Sequence, residues 1–366
     1  MTAPTCLDEV TPMTELTIPA TWEEVTAEWM TAALQRDFPG AEVSTVEVVL
    51  RDDGTNRRAR LALSYAAGDG PSAVFVKAAD PDHAELNAAT GGLFNESRMF
   101  RTDISLPIEH PAVHLALIDE PGLDFLLLME DVTLRGGDPR DSTRPLTVEQ
   151  AADGVEGLAR LHSRFWGDGL DRHGDELAWL EPFVAWRGME SGIAAGLQRL
   201  DTDLPTDVRR LSAVEIEDCW VAYIDEMADE PHTVLHGDAH VGNTYVVDGE
   251  RVGFLDWQVL HRGHHALDLG YFLQGALTRE DRRGGEVELV ARYHGALDLP
   301  AQDQPTVDDV WLHYRASASH GLAVWMATAS SDDWQRPEVS LPLAQRYAEA
   351  FVDLDTPGAV RDLTGA

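Results

Sequence analysis

The chain has 366 residues, 28 of them basic and 64 acidic, for a formal net charge of −36, and hydrophobic residues make up 44%. That length and apolar share imply a folded chain of two or more structural units rather than a disordered one. The negative balance repels phosphate backbones and anionic lipid, so neither nucleic acid nor membrane is an expected partner. A cationic substrate would be attracted, although a solvated acidic surface accounts for the charge more simply. Only Cys6 and Cys219 occur, which gives no disulfide framework and points to a reducing compartment. The first residues lack a basic stretch followed by an apolar one, and no apolar run approaches a membrane span. A cytoplasmic protein is expected.

Residues 1–20 read as an N-terminal arm. Thr21 and Glu24 fit a capping box for a helix to about Leu34, with Val25, Trp29, Ala32 and Ala33 as its stripe. Three alternating runs follow, over 42–50, 58–65 and 73–77, separated by turn clusters at 51–56 and 66–70. They predict a small antiparallel sheet. Gly54, in the first turn, allows close backbone approach; a phosphate-covering loop and an ordinary hairpin turn fit it equally. Lys77 closes the third run as V-F-V-K, akin to the V-A-I-K strand lysine that neutralises the α- and β-phosphates of a nucleotide. Such a lysine needs a carboxylate to hold it. Glu96, 19 residues on, lies on an expected helix over 93–100. Each alone reads as a surface residue, but upstream of the block described below the two read as a pair. Glu85 is the competing partner, in a loop-like stretch.

A strand over 113–119 and a buried apolar strand over 124–129 lead to Glu130-Asp131 and then Gly136-Gly137-Asp138-Pro139. This marks the boundary between a nucleotide-binding lobe, 21–131, and a catalytic and substrate lobe, 132–366. Thr147 and Gln150 open a helix to about Phe165, on which His162 and Trp166 are assigned to packing. Residues 171–232 hold helical pieces broken by Gly, Pro and acidic residues, with one long helix over 207–227.

The most informative stretch is 234–269. Leu235 precedes His236-Gly237-Asp238, and Asn243 lies five residues after Asp238. The β-prone run Thr244-Tyr245-Val246-Val247 meets Asp248-Gly249, the strongest short hairpin signal. The return strand, 251–255, delivers Asp256-Trp257-Gln258. Such a hairpin brings Asn243 and Asp256 together at one end, with Asp238 just upstream. That arrangement suits phosphoryl transfer from a nucleoside triphosphate: Asn243 and Asp256 supply the oxygen ligands that Mg²⁺ prefers, and Asp238 accepts the proton of the attacking hydroxyl. The spacing in H-G-D-A-H-V-G-N matches the protein-kinase catalytic loop H-R-D-x-x-x-x-N.

His236-Gly237-Asp238, Asn243 and Asp256-Trp257 resemble the aminoglycoside phosphotransferase and choline kinase family of small-molecule kinases. The Asp-Trp-Gln triplet, with Leu161-His162-Ser163-Arg164-Phe165-Trp166 upstream, leans toward its ecdysteroid kinase-like (CHK kinase-like) branch. The resemblance covers roughly 40–300 and is strongest over 234–270. It implies a protein-kinase-like fold, a nucleotide loop at Gly54, adenine facing backbone groups near Met129, Glu130 and Val132, and bracing of the catalytic loop by Asp268, with His236 in support. The G-x-G-x-x-G pattern of protein kinases is absent, so contacts to the nucleotide must differ.

His261-Arg262-Gly263-His264-His265 has no usual zinc spacing and reads as a loop. Helices are expected over 281–297, 307–329 and 340–353. Trp311, His313, Tyr314, His320 and Trp325 lie at helical spacings there, mostly as core, with one or two lining an acceptor pocket. The expected protein is therefore α+β and two-lobed, with a small antiparallel sheet lobe and a larger helical one. It would use ATP and Mg²⁺ to phosphorylate a small-molecule hydroxyl. The sequence distinguishes neither ATP from GTP nor one acceptor from another, and leaves the oligomeric state open. A kinase-like protein that binds nucleotide without catalysis, or a protein kinase, are the alternatives. Against the latter, A-P-E is absent and the interval from Asp256 to Asp268 is too short for an activation segment.

Overall fold

The computed structural model describes residues 16–52, 54–89, 92–332 and 335–365; most of the expected N-terminal arm, residues 1–15, lies outside them. The chain divides into two compact units. One comprises the described residues up to Ala89 with Ala112–Asp131, and the other those from 92 to Pro111 with Val132 onward.

The first unit opens on a short 3₁₀ turn, Trp22–Glu24, and helix α1, Ala27–Leu34. The cap is Thr26, whose hydroxyl accepts from the backbone N–H of Trp29 at 3.2 Å, not Thr21, whose side chain caps nothing. Thr26 stands in extended backbone one residue before the helix and so takes the role five residues later than expected. The sheet follows: β1 Glu42–Arg51, β2 Asn56–Ala67, β3 Ala73–Ala79, β4 Val113–Asp119 and β5 Asp124–Glu130. Its spatial order is β1-β2-β3-β5-β4, with every pair antiparallel. Alternate residues Ala59, Leu61 and Leu63 of β2 are buried, as are Val74 and Val76 of β3 and Leu126 and Leu128 of β5. They pack with Trp22, Met30 and Leu34 into this unit's core. Helix α2, Ala84–Ala89, carries Glu85, which is exposed; the stretch is helical, not a loop.

The second unit begins with α3, Asn95–Arg101. After Asp131 come a 3₁₀ turn, Val132–Arg135, and β6, Asp138–Pro139. Helix α4, Val148–Phe165, starts at a full capping box between Thr147 and Gln150, and its buried face includes Val155, Leu158, Leu161, His162 and Phe165. Two single-turn helices, α5 Asp168–Asp171 and α6 Gly174–Leu177, precede α7, Glu190–Leu200. The single helix expected over 207–227 is two: α8, Thr206–Arg209, and α9, Ala213–Met227. Ser212 lies in extended backbone between them and forms a capping box with Glu215, a Ser-x-x-Glu signal that restarts the helix.

Strand β7, Thr233–Leu235, precedes the hairpin of β8, Thr244–Val247, and β9, Arg251–Phe254, which β6 extends to a three-stranded sheet. Asp248 and Gly249 both have positive φ, 56° and 78°, as the turn chemistry of Asp-Gly requires. His261–Gly263 is not loop but a short strand, β10, antiparallel to β7. Pairing with β7 overrides a sequence with no β propensity. Helix α10, Ala266–Ala276, is buried at every residue. It is followed by α11, Arg279–Ala296. The helix expected over 307–329 breaks at Ser317 into α12, Val307–Ala316, and α13, Ala318–Thr328. The Ser317 hydroxyl donates to the carbonyl of Tyr314 at 2.8 Å, a local bond that competes with helix continuation. Helix α14, Pro337–Asp353, leads to an unforeseen α15, Thr356–Thr364, started by Thr356-Pro357. Among the described residues no helix is long and apolar enough to cross a membrane.

Candidate active site

Buried strand β7 ends at Leu235; at His236 the chain leaves the sheet and runs through a 3₁₀ turn, Val241–Asn243, to Asn243. Asp268, in the first turn of α10, holds this departure point. One of its carboxylate oxygens accepts from His236 N at 2.7 Å and the other from Gly237 N at 2.9 Å. His162 of α4 bonds Asp268 through Nε2 at 3.2 Å and the Tyr293 hydroxyl through Nδ1 at 2.7 Å. Burial alone would raise the Asp268 carboxyl, but the bond and charge of His162, with the Gly237 N–H, hold it below the usual carboxylate range. His162 is thus a polar strut rather than packing alone. Gly237 has φ +81°, and a Cβ there would meet the carbonyl of Val259 at 1.9 Å, so only glycine fits.

His236 is fully buried. Its Nε2 faces the carbonyl of Leu255 at 2.9 Å, and its Nδ1 accepts from Asp238 N at 3.3 Å. The ring therefore carries its proton on Nε2, and it ties the Asp238 backbone to the end of the return strand. Trp257 packs against the same ring at 4.5 Å.

The Asp238 side chain is 30% exposed. Asn243 Nδ2 donates both to its Oδ2 and to its backbone carbonyl, each at 2.9 Å. This leaves the Asn243 amide oxygen as an acceptor. Leu255 N bonds the Asn243 carbonyl at 2.8 Å, fixing the hairpin end where Asp256 follows. Asp256 itself sits in left-handed backbone, φ 59° and ψ 70°, at a sharp turn out of the strand. Among the described residues no group of three or more His, Cys, Asp or Glu could hold a metal.

Two neighbours of Asp238 were not singled out from sequence. His240 accepts from Gly242 N on Nδ1 at 3.0 Å, which directs Nε2–H toward Asp238 Oδ2, 3.7 Å away. Burial keeps this imidazole below its ordinary range, although Asp238 and Asp256 pull the other way. The Tyr271 phenol is pushed well above its usual range by burial and then by the Asp238 charge beside it. His240 lies inside H-G-D-A-H-V-G-N, where its alternation with Asp238 was a readable signal. Tyr271 gave none beyond its place one turn after Asp268.

Glu96, on α3, is buried, and its Oε1 accepts from Trp257 N at 3.1 Å. The neighbouring Asn95 donates to the carbonyl of Leu260 at 2.9 Å. Helix α3 therefore pins the segment that carries Asp256. Val132 is buried with Tyr245 and Val247 behind the hairpin. In the first unit, Lys77 is buried and lies inside β3, paired in register with Arg58 and Leu127. Gly54 sits in an exposed turn whose N–H bonds the carbonyl of Asn56 at 3.0 Å. Met129 is buried in β5, and Glu130 accepts from Ala112 N at 3.2 Å.

A model of the phosphotransferase enzyme family matches residues 105–306. No curated protein matches the chain. Among solved structures, a choline kinase, LicA, from Streptococcus pneumoniae is 11% identical over 89% of this chain and 98% of its own, with a TM-score of 0.48. A macrolide 2'-phosphotransferase type I is 16% identical over 90% and 98%, with a TM-score of 0.48. A spectinomycin phosphotransferase in complex with ADP and spectinomycin is 12% identical over 91% and 99%, with a TM-score of 0.47.

Proposed function

The chain belongs to the phosphotransferase enzyme family, and from that premise we propose that it transfers the γ-phosphoryl group of ATP to a hydroxyl of a small-molecule acceptor. The observation that carries this reading is the state of Asp238. Its carboxylate is partly exposed, anchored on one oxygen by Asn243 and backed by His240 and Tyr271. A carboxylate held this way accepts a proton from an incoming hydroxyl without having to reorganise.

The Asn243 amide oxygen and the Asp256 carboxylate would hold Mg²⁺. Bound there, the ion would offset charge on the phosphate oxygens. The Asn243 amide has its N–H₂ committed to Asp238, so the same residue orients the base and presents an oxygen to the metal. Lys77 is assigned to the α- and β-phosphates, with Glu96 steadying its ammonium, Gly54 to the loop over the phosphates, and the backbone near Met129, Glu130 and Val132 to adenine. These nucleotide assignments rest on sequence position. Asp256-Trp257-Gln258 and the Leu161–Trp166 run likewise support the ecdysteroid kinase-like branch by sequence alone, and the presence of only two cysteines supports a cytoplasmic protein.

A protein-kinase reading is disfavoured by the interval from Asp256 to Asp268. A 3₁₀ turn, Trp257–Val259, strand β10 and the start of α10 fill it, leaving no length for an activation segment. The test is ATP consumption across a library of hydroxyl compounds, with mass spectrometry of the products. A compound that gains one phosphoryl group, and does not with Asp238→Asn, supports the proposal. ATP hydrolysis with no phosphorylated acceptor, unchanged in Asp238→Asn, overturns it.

A further inference from the structure

A cavity of about 1520 Å³ lies wholly in the second unit, between the end of α4, the start of α10 and the α11–α12 connection. None of His236, Asp238, Asn243 and Asp256 lines it. It exceeds the roughly 300–1,000 Å³ of an ordinary small-molecule pocket.

Part of its wall is built of imidazoles. His264 lies between His265 and His313, at 4.2 and 4.3 Å between ring centroids, and Trp166 packs on His265 at 5.0 Å. His265 is 1% exposed and His313 8%, and the Nδ1 of each has no hydrogen-bond partner among the described residues. Burial keeps both rings uncharged at neutral pH. Each Nδ1 therefore offers either an N–H or a lone pair, and a hydroxyl, which both donates and accepts, meets either case.

The exposed Arg160, Arg164 and Arg172 line the same cavity, and among the described residues none of them is in an ion pair. The same holds for the exposed Asp168, Glu230 and Asp298, also on this cavity. The other two carboxylates there, Asp303 and Asp309, are engaged by Gln302 and Thr306. Unpaired groups of both signs suit a ligand that donates and accepts along its length better than they suit a simple ion.

The wall also reaches the loop that carries Asp238. The His265 ring lies 6.3 Å from that of His162, whose Nε2 bonds Asp268. Asp268 in turn accepts from the N–H groups of His236 and Gly237. One run of packed polar side chains thus joins cavity and loop.

We infer that this cavity binds a neutral polyhydroxylated ligand of oligosaccharide size, whose hydroxyls meet His265, His313 and the unpaired groups around them, and that its occupancy acts on the loop. The ligand is an effector, distinct from the acceptor. Only the meaning of the loop rests on the phosphotransferase reading; the binding stands on the cavity's own residues.

The experiment is calorimetric binding of maltotriose, cellotriose and raffinose to the full chain without nucleotide, with triglycine as a zwitterionic probe and sulfate as an anionic one. At least one trisaccharide should bind with Kd below about 1 mM, and at least about tenfold more tightly than either ionic probe. Arg164→Ala and His313→Leu, each removing hydrogen bonds to the sugar, should weaken that binding at least about fivefold. Hydrogen exchange read by mass spectrometry over 233–238 should slow when the sugar saturates wild type. Binding of no trisaccharide, equal or tighter binding of sulfate or triglycine, or sugar binding undiminished in the two variants overturns the inference. Should His313→Leu not fold, the exposed Arg164→Ala decides alone. Sugar binding with unchanged exchange overturns the effector role. Because no ATP is present, a failed phosphoryl-transfer assay alongside intact sugar binding would discard the catalytic reading and leave the site standing.

Discussion

Asn243 grips Asp238 twice, through the carboxylate and through the backbone carbonyl, from a single amide nitrogen at 2.9 Å. The five-residue spacing between them is therefore the closure of one short loop, with the proposed base at its start and the proposed oxygen ligand at its end. Asp238→Asn should retain nucleotide binding and lower kcat by about 10²–10⁴, the usual contribution of a positioned general base. Asn243→Ala should lower kcat and also raise the Mg²⁺ concentration needed for half-maximal rate, since it removes both the grip and the ligand. Rates measured against Mg²⁺ concentration separate the two: an Asp238→Asn enzyme with a shifted Mg²⁺ profile, or Asn243→Ala without one, contradicts the division of roles.

The buried Asp268 carboxylate is a second constraint on the same loop. Asp268→Asn replaces one acceptor oxygen by a donor that faces an N–H of His236 or Gly237, so about 1–3 kcal/mol of stability should be lost. The folded carboxyl is held below the ordinary range. Its contribution is thus complete above about pH 4 and disappears as pH falls through the lower folded value. Denaturant unfolding of wild type and variant should show a gap that is constant near neutrality and narrows only in strong acid. A gap that narrows between neutral and mildly acidic pH would assign the stabilisation to another group.

The sheet and the hairpin were legible in the sequence because alternation and Asp-Gly turn chemistry are local. The Asp238-to-Asn243 spacing was equally local, and the structure accounts for it by the two hydrogen bonds that the Asn243 amide donates to Asp238. What escaped was set by partners far along the chain. β10 forms because β7 lies beside it, and His162 becomes a strut because Asp268, 106 residues away, needs a third donor. The split of the 207–227 helix was readable in Ser212-x-x-Glu215, but the long apolar periodicity around it masked the restart. Tyr271 gave no signal, since it matters only through the side chains that fold against it.

His313 offers a pH test away from the base. Burial drives this imidazole from its ordinary value down to about 4, against a smaller upward pull from Asp309. His264, tilted against it at 4.3 Å between ring centroids, and His265 are also held low by burial. A base with a depressed folded value stabilises fully above about pH 6.5 and loses that contribution as pH falls toward its folded value. Wild type should therefore lose melting temperature between about pH 7 and pH 5. His313→Asn should lose less over the same interval, because one of the titrating rings is gone. Parallel declines in the two proteins would show that His313 is not part of the acid response.

Lys77 and Glu96 carry the last prediction, which the Trp257 contact makes sharper. Lys77→Ala should weaken nucleotide binding or turnover, because the phosphates lose a fixed positive charge. Glu96 has a second task visible in its own unit: its Oε1 accepts from Trp257 N at 3.1 Å and so restrains the residue that follows Asp256. Glu96→Gln keeps an oxygen for that N–H and removes the charge. Glu96→Ala removes both. If Glu96 holds the Lys77 ammonium, Glu96→Gln should reduce kcat/KM for ATP less than Lys77→Ala does, and the Lys77→Ala, Glu96→Gln double variant should resemble Lys77→Ala alone. Glu96→Ala should in addition raise the Mg²⁺ requirement, since Asp256 loses its restraint, and Glu96→Gln should not. Losses that simply multiply in the double variant would dissolve the pair and turn attention to Glu85, the exposed carboxylate on α2. An unchanged Mg²⁺ profile in Glu96→Ala would separate Glu96 from the metal site.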